Sequence, residues 1–327
     1  MDVRNRFLLS LCFLCIMFSL FTIFIVVNTD TWQTMFFIIT MTLFGISSCF
    51  HPFYGMTNVA YLSKFPTFYM ELNILGTAIS GLFSTILQIV SLTVGHTSTQ
   101  IAMIYFCSGL VIVIFTLFLI YIMKYSATIQ YYLENGKEEG SNQIYTLKEY
   151  WEVAKKIWFI LLIIFINSGT MNSGHPNITN LVVSEGYTGT GQSLWNDKYF
   201  VVVATYLLFD IFQIIGRLCG RTVLKKKTAI YFILFALFRS FVLTPLLWFC
   251  NAQPRSHLPV LFPHDYQYMI ILAIHSFTGS AFLAICFLSI PFIAEEKTEQ
   301  ALILGMGVST ISLTITSPLS PVYVNLL

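Results

Sequence analysis

The chain carries one apolar run after another, each about as long as a helix must be to cross a lipid bilayer. A hydrocarbon core of about 30 Å needs about 20 helical residues. Runs of that kind lie at about 7–27, 33–58, 73–95, 101–123, 157–178, 199–219, 228–250, 267–293 and 301–325. They predict an all-α fold, a polytopic membrane helix bundle with about nine transmembrane helices. The runs at 33–58 and 157–178 have the least sharp bounds, because each ends in polar sequence containing proline. Composition agrees. Only 10% of the 327 residues are charged, against about a quarter in a soluble domain, while 56% are hydrophobic and mean hydropathy is +0.76. So little charge could not cover the surface of a soluble chain this long. The stretch from Phe7 to Val27 is too long for the apolar part of a signal peptide, and no small-residue cleavage site follows it. It is read as the first span.

Lys and Arg set orientation, because they accumulate on the cytoplasmic side. With the N-terminus inside and nine alternating spans, the cytoplasmic segments hold Arg4, Arg6, Lys64, Lys124, Lys137, Lys148, Lys155, Lys156, Arg221, Lys225, Lys226, Lys227 and Lys297. The outer segments hold Lys198 and Arg255, and Arg217 and Arg239 fall inside spans. This bias predicts a cytoplasmic N-terminus and an outer C-terminus. The net charge of +2 gives no reason to expect a nucleic-acid partner. The cysteines, including the Cys12/Cys15 pair, lie in or beside apolar runs, where cysteine acts as a small hydrophobe. Neither a metal nor a cofactor is expected.

The sizeable hydrophilic stretch runs from Tyr125 to Lys156 and includes the turn-rich Glu134–Gly140. It divides the chain into an N-terminal helix group, 1–124, with four spans, a cytoplasmic linker loop, 125–156, and a C-terminal helix group, 157–327, with five spans. Within the linker, Thr146 and Glu149 have the spacing of a capping box, which makes Tyr150 to Trp158 a short amphipathic lead into the next span. Asn177-Ile178-Thr179 matches a glycosylation sequon but lies too near a span end to be a good acceptor.

Ionisable groups inside spans are costly in lipid, so they face a cavity or a partner. Asp210, Gln213 and Arg217 are spaced three and four apart, which puts them on one helix face. Gly216 beside them admits a neighbouring helix or a ligand. Arg217 is near enough to the cytoplasmic end to snorkel, whereas Asp210 lies about half-way along its span. Arg239 is mid-span, and either pairs with Asp210 on the preceding antiparallel helix or acts in gating. His51, next to Pro52, and His175, next to Pro176, sit where helices are expected to break, as cavity-lining helices of transporters do. His275, Thr278 and Ser280 give the eighth span a polar face, and the ninth is rich in Ser and Thr, which helix packing would explain. No enzyme motif is present: no HExxH, no Gly-rich phosphate loop and no plausible Ser/His/Asp grouping.

From Phe209 to Arg217 the chain resembles the equilibrative nucleoside transporters. Their pattern there is aromatic–Asn–x–aromatic/small–Asp–x–x–Gly–Arg. Phe209, Phe212, Gly216 and Arg217 match it, while Asp210 stands at the Asn position and Gln213 at the Asp position. Further similar segments follow the family's order: Tyr54-Gly55, His175-Pro176-Asn177-Ile178-Thr179, Arg239 with Pro245-Leu246-Leu247 and Cys250-Asn251, Pro254-Arg255 through His264-Asp265, and Gly279, preceded by Thr278 where the family has Asn.

The resemblance implies a major-facilitator-like, multi-pass solute carrier that moves nucleosides, with nucleobases as further substrates, by facilitated diffusion and alternating access. The family has eleven spans with its large loop after the sixth. Here the loop follows the fourth, so the nine spans are similar to family helices 3–6 and 7–11, with the first two lacking. The resemblance also implies substrate contacts at Arg217, Gln213, Asp210, His51 and Thr278, and structural or gating roles for Arg239, Gly216, Pro176 and Gly279. The expected partners are a nucleoside and the lipid bilayer, and the expected location is the plasma membrane. Two other readings stay open: transport of an organic cation or proton coupling through Asp210 in the same fold, and a truncated paralogue that does not transport. Oligomeric state has no signature in the sequence.

Overall fold

The computed structural model describes residues 3–29, 31–123, 125–135, 146–225 and 227–327. Lys124, Lys226 and the linker residues from Gly136 to Tyr145, Lys137 among them, lie outside the described residues. The helices are α1 Val3–Val26, α2 Gln33–Leu62, α3 Thr67–Val94, α4 Ser98–Met123, α5 Ala127–Asn135, α6 Leu147–Gly174, α7 Leu208–Cys219, α8 Ala229–Phe238, α9 Thr244–Leu246, α10 Asp265–Ala294, α11 Thr298–Thr316 and α12 Ser320–Leu326. In lipid each backbone N–H and C=O must find its partner within the segment, and a helix does this residue by residue.

Eight helical segments among the described residues are long and apolar enough to cross a membrane. The last of them, Asp265–Leu326, has 62 residues. At about 1.5 Å per residue it would be about three times the thickness of the hydrocarbon core. It is interrupted at Glu295, whose φ of 54° takes the backbone out of the helix. α10 and α11 on either side pack against each other and against α6. Counted as two crossings, this segment restores the nine spans expected from the sequence.

Two spans can be set against expectation in detail. The capping box at Thr146 and Glu149 is present, with Glu149 N–H donating to Thr146 Oγ1 at 3.4 Å and Thr146 N–H donating to Glu149 Oε2 at 2.7 Å. The helix it starts leads into the next span, as expected. It runs on as α6 through a kink at Ile157, where φ is −112° and ψ is 16°. The expected break at His51 is absent, since α2 continues through Pro52 to Leu62. Proline removes one N–H donor. The remaining ladder carries α2 past that single loss.

The chain packs as two compact units, Met1–Met70 with Leu87–Tyr145, and Glu71–Ile86 with Thr146–Leu327. In the first, α1 lies against α2 and α4. Phenylalanines fill the seams: Phe13 stacks on Phe50 at 4.0 Å between ring centroids, and Phe21 meets Phe44 and Phe106 at 5.0 and 6.0 Å. In the second, α7 runs along α10 and α11 along α6. The hydroxyls of α11 serve these contacts. Ser309 Oγ and Ser168 Oγ are 2.8 Å apart, and Ser312 Oγ donates to Phe165 C=O at 2.6 Å. A Cβ on Gly216 would collide with Ser280 Oγ and the Phe277 carbonyl, so glycine permits the close approach of α7 to α10.

Candidate functional site

Two buried polar clusters occupy the second unit. The first lies between α7 and the part of α3 from Glu71 to Ile86. α7 follows two π-helical turns, Leu194–Tyr199 and Val201–Leu207, and presents Asp210, Gln213 and Arg217 on one face. Asp210 and Arg217 are each 9% exposed. They do not pair with each other; each is bound to α3. Thr85 Oγ1 donates to Asp210 Oδ2 at 2.6 Å. Arg217 donates to the Ile74 carbonyl and to Thr77 Oγ1 through one terminal nitrogen. A Cβ on Gly81 would come within 2.7 Å of Asp210 Oδ1, so a glycine there lets the backbone of α3 approach the carboxylate. Gln213 is half-buried and has no hydrogen bond to a described residue. Arg217 Nε is buried and also lacks a partner among the described residues. Thus one ion is held by a hydroxyl, the other by a carbonyl and a hydroxyl, and each side keeps a polar group to offer.

Beside Arg217 is a cavity of about 10 Å³, lined by Glu71, Ile74, Leu218 and Arg221 among others. That is room for about one water molecule and far less than a nucleoside requires. The conformation is closed at this point.

The second cluster surrounds Arg239, which is 1% exposed. Arg239 opens a π-helical turn, Arg239–Leu243, just before Pro245. Proline collides with the carbonyl four residues back, and a widened turn relieves that contact. The guanidinium donates to Asn167 Oδ1 at 2.8 Å, His275 C=O at 2.9 Å and Thr278 Oγ1 at 3.0 Å. Met171 Sδ lies 2.7 Å from it. Asn167 in turn donates to the Gly279 carbonyl at 3.0 Å. A Cβ on Gly279 would strike both Met171 and Arg239. The expected pairing of Arg239 with Asp210 is therefore corrected. Their helices present the two side chains to different neighbours, and among the described residues Arg239 has no carboxylate partner.

Between the clusters, α6 ends at Gly174 and the backbone turns extended at His175. This break was expected at His175 and Pro176. The His175 ring stacks on Phe209 at 3.8 Å, and its Nδ1 is 2.8 Å from Thr179 Oγ1. Of the other expected site residues, Thr278 joins the Arg239 cluster, and His51 belongs to the first unit with its side chain outside the described part. Sequence reasoning missed Thr77, Gly81 and Thr85, and it missed Asn167 and Met171. The first three were legible in principle, since they recur every four residues and make one face of small and hydroxyl side chains.

Thr85→Val keeps the shape and removes the donor to Asp210. The expected loss is about 2 kcal/mol, the range for a hydrogen bond to a charged group. Thermal unfolding in detergent measures it, with Thr85→Ser as the control that retains the bond. An unchanged midpoint for the valine variant would discard the Thr85–Asp210 contact.

Comparison with known proteins places the chain beside membrane carriers. It matches the family described as Nucleoside transporter over residues 50–149 and 135–306. It is 23% identical to equilibrative nucleoside transporter 1 of Homo sapiens over 314 residues, covering 86% of this chain and 67% of that protein. It is 21% identical to equilibrative nucleoside transporter 2 of Homo sapiens over 310 residues, covering 82% and 66%. It is 23% identical to equilibrative nucleoside transporter 3 of Rattus norvegicus over 295 residues, covering 80% and 59%.

Proposed function

We propose that this chain, which belongs to the nucleoside transporter family, carries nucleosides across a membrane by facilitated diffusion with alternating access. The family comprises transporters, not enzymes, and the apolar helices make the chain an integral multi-pass membrane protein. The observation that carries the reading is Arg217, a guanidinium buried within a span, with Nε left to donate. A fork of fixed donors suits ribose hydroxyls and base carbonyls, which are neutral and polar. Gln213 supplies a neutral donor and acceptor one turn away, and Asp210 accepts from a hydroxyl. Opening this site to a nucleoside requires α3 to release Arg217 and Asp210, because the cavity beside Arg217 is too small. Arg239, Gly216, Pro176 and Gly279 hold the surrounding helices, with Thr278 fastened to Arg239 rather than free. His51 stays in the proposal on its sequence position alone.

We place the N-terminus in the cytoplasm and the C-terminus outside, on the lysine and arginine bias, and the protein in the plasma membrane. The division into helix groups 1–124 and 157–327 about a linker at 125–156 belongs to the same proposal. The test is uptake of labelled uridine and adenosine into vesicles holding the full chain, at two pH values. The expected result is equal concentrations inside and outside at equilibrium, with no gain from an imposed proton gradient. Uptake no faster than in protein-free vesicles would overturn the reading, and accumulation against a gradient would replace facilitated diffusion by proton coupling.

A further inference from the structure

The helix α6 carries a stripe that the bundle leaves uncovered. Trp151, Lys155, Trp158, Leu162 and Phe165 recur every three or four residues and so share one face. Trp151 and Trp158 are 63% and 55% exposed, while the opposite face holds Val153, Ile157, Ile160 and Ile164 in the core. With Val308 of α11 the stripe walls a groove of about 440 Å³. That is the volume of an ordinary ligand site. Its walls are apolar apart from the Lys155 ammonium, which lies 5.5 Å from the centre of the Trp151 ring.

We propose that this groove binds one anionic phospholipid, an acyl chain lying along Trp158, Leu162 and Phe165 and the phosphate meeting Lys155. A nucleoside does not fit the chemistry, because its hydroxyls would find no partners on these walls. A neutral lipid would bring the cation no opposite charge beyond the Trp151 ring face. The neighbouring charges are already committed: Lys156 pairs with Glu295 and Lys297 with Glu152, each at 3.4 Å. Among the described residues Lys155 has no carboxylate partner. Tryptophans favour the level of the headgroups, so the two indoles put Lys155 at the depth where a phosphate lies. A lysine near the membrane surface attracts an acidic headgroup.

The full chain is purified in detergent and offered phosphatidylglycerol or phosphatidylcholine with the same acyl chains. Bound lipid is counted by native mass spectrometry. One phosphatidylglycerol should be retained in preference to phosphatidylcholine, and inorganic phosphate should not displace it. Lys155→Gln should weaken retention about fivefold, the factor expected for one lysine near an acidic lipid surface. Lys156→Gln should not change it. Val308→Phe should weaken retention by narrowing the groove beside Phe165, and where that variant does not fold, Lys155→Gln decides. Equal retention of the two lipids, displacement by phosphate, an unchanged Lys155→Gln or an equal loss in Lys156→Gln would each overturn the proposal. None of these readouts depends on transport.

Discussion

Arg217→Ala is expected to lower the initial rate of uridine uptake by about one to two orders of magnitude, with the protein still folded. The figure follows from hydrogen bonds donated by a charged group, about 1.5–3 kcal/mol each, of which at least one is made to substrate. Alanine also frees the Ile74 carbonyl and Thr77 hydroxyl that Arg217 holds on α3. Arg217→Lys separates the two effects. A lysine keeps the charge but gathers its donors on one nitrogen, so it cannot hold α3 and also place a donor where Arg217 Nε lies. It should therefore remain far below the wild-type rate. Asp210→Asn should cost less, because the amide oxygen can still accept from Thr85. Rates are measured in vesicles with protein amount normalised. Arg217→Ala at wild-type rate would remove Arg217 from the substrate site.

The second large effect is on stability. Arg239→Ala should destabilise the protein by about 4 kcal/mol, read as thermal unfolding in detergent. Truncating a large buried side chain leaves a cavity, at about 3–5 kcal/mol for the largest cases. It also orphans Asn167 Oδ1 and the His275 carbonyl, which both accept from the guanidinium. Relief from burying a charge works in the other direction and keeps the total near the cavity term. Arg239→Met fills most of the volume and should recover part of the loss. The deficit that remains reports the orphaned acceptors. Wild-type stability in the alanine variant would mean that Arg239 is no tie between α6, α8 and α10.

Much of the bundle is legible in the amino-acid sequence. The run at 101–123 became α4, Ser98–Met123, and that at 267–293 became α10, Asp265–Ala294. The capping box named the start of α6 correctly, because a cap is a contact between residues three apart. The lead from Tyr150 to Trp158 into the next span was legible from the same cap, whereas the kink at Ile157 was not, because it depends on packing rather than on spacing. Pro52 misled in the opposite direction. A proline rule is local, and a helix of 30 residues can carry one missing bond. The face of Asp210, Gln213 and Arg217 could be read from spacing. The partners of that face could not, and of the two readings of Arg239 the pairing with Asp210 failed for the same reason.

The sequence by itself determined that this chain lives in lipid, roughly where its spans lie, and which polar groups are buried with them. These follow from a run of side chains and its length, because hydrocarbon accepts only apolar surface and a self-satisfied backbone. The tertiary structure alone decided what each buried polar group touches. Thr85 holds Asp210, Ile74 and Thr77 hold Arg217, and Asn167, His275 and Thr278 hold Arg239. Those choices depend on how far each helix is rotated about its own axis against its neighbours. That rotation is set by close packing at points such as Gly81, Gly216 and Gly279, and it has no expression in the spacing along one helix.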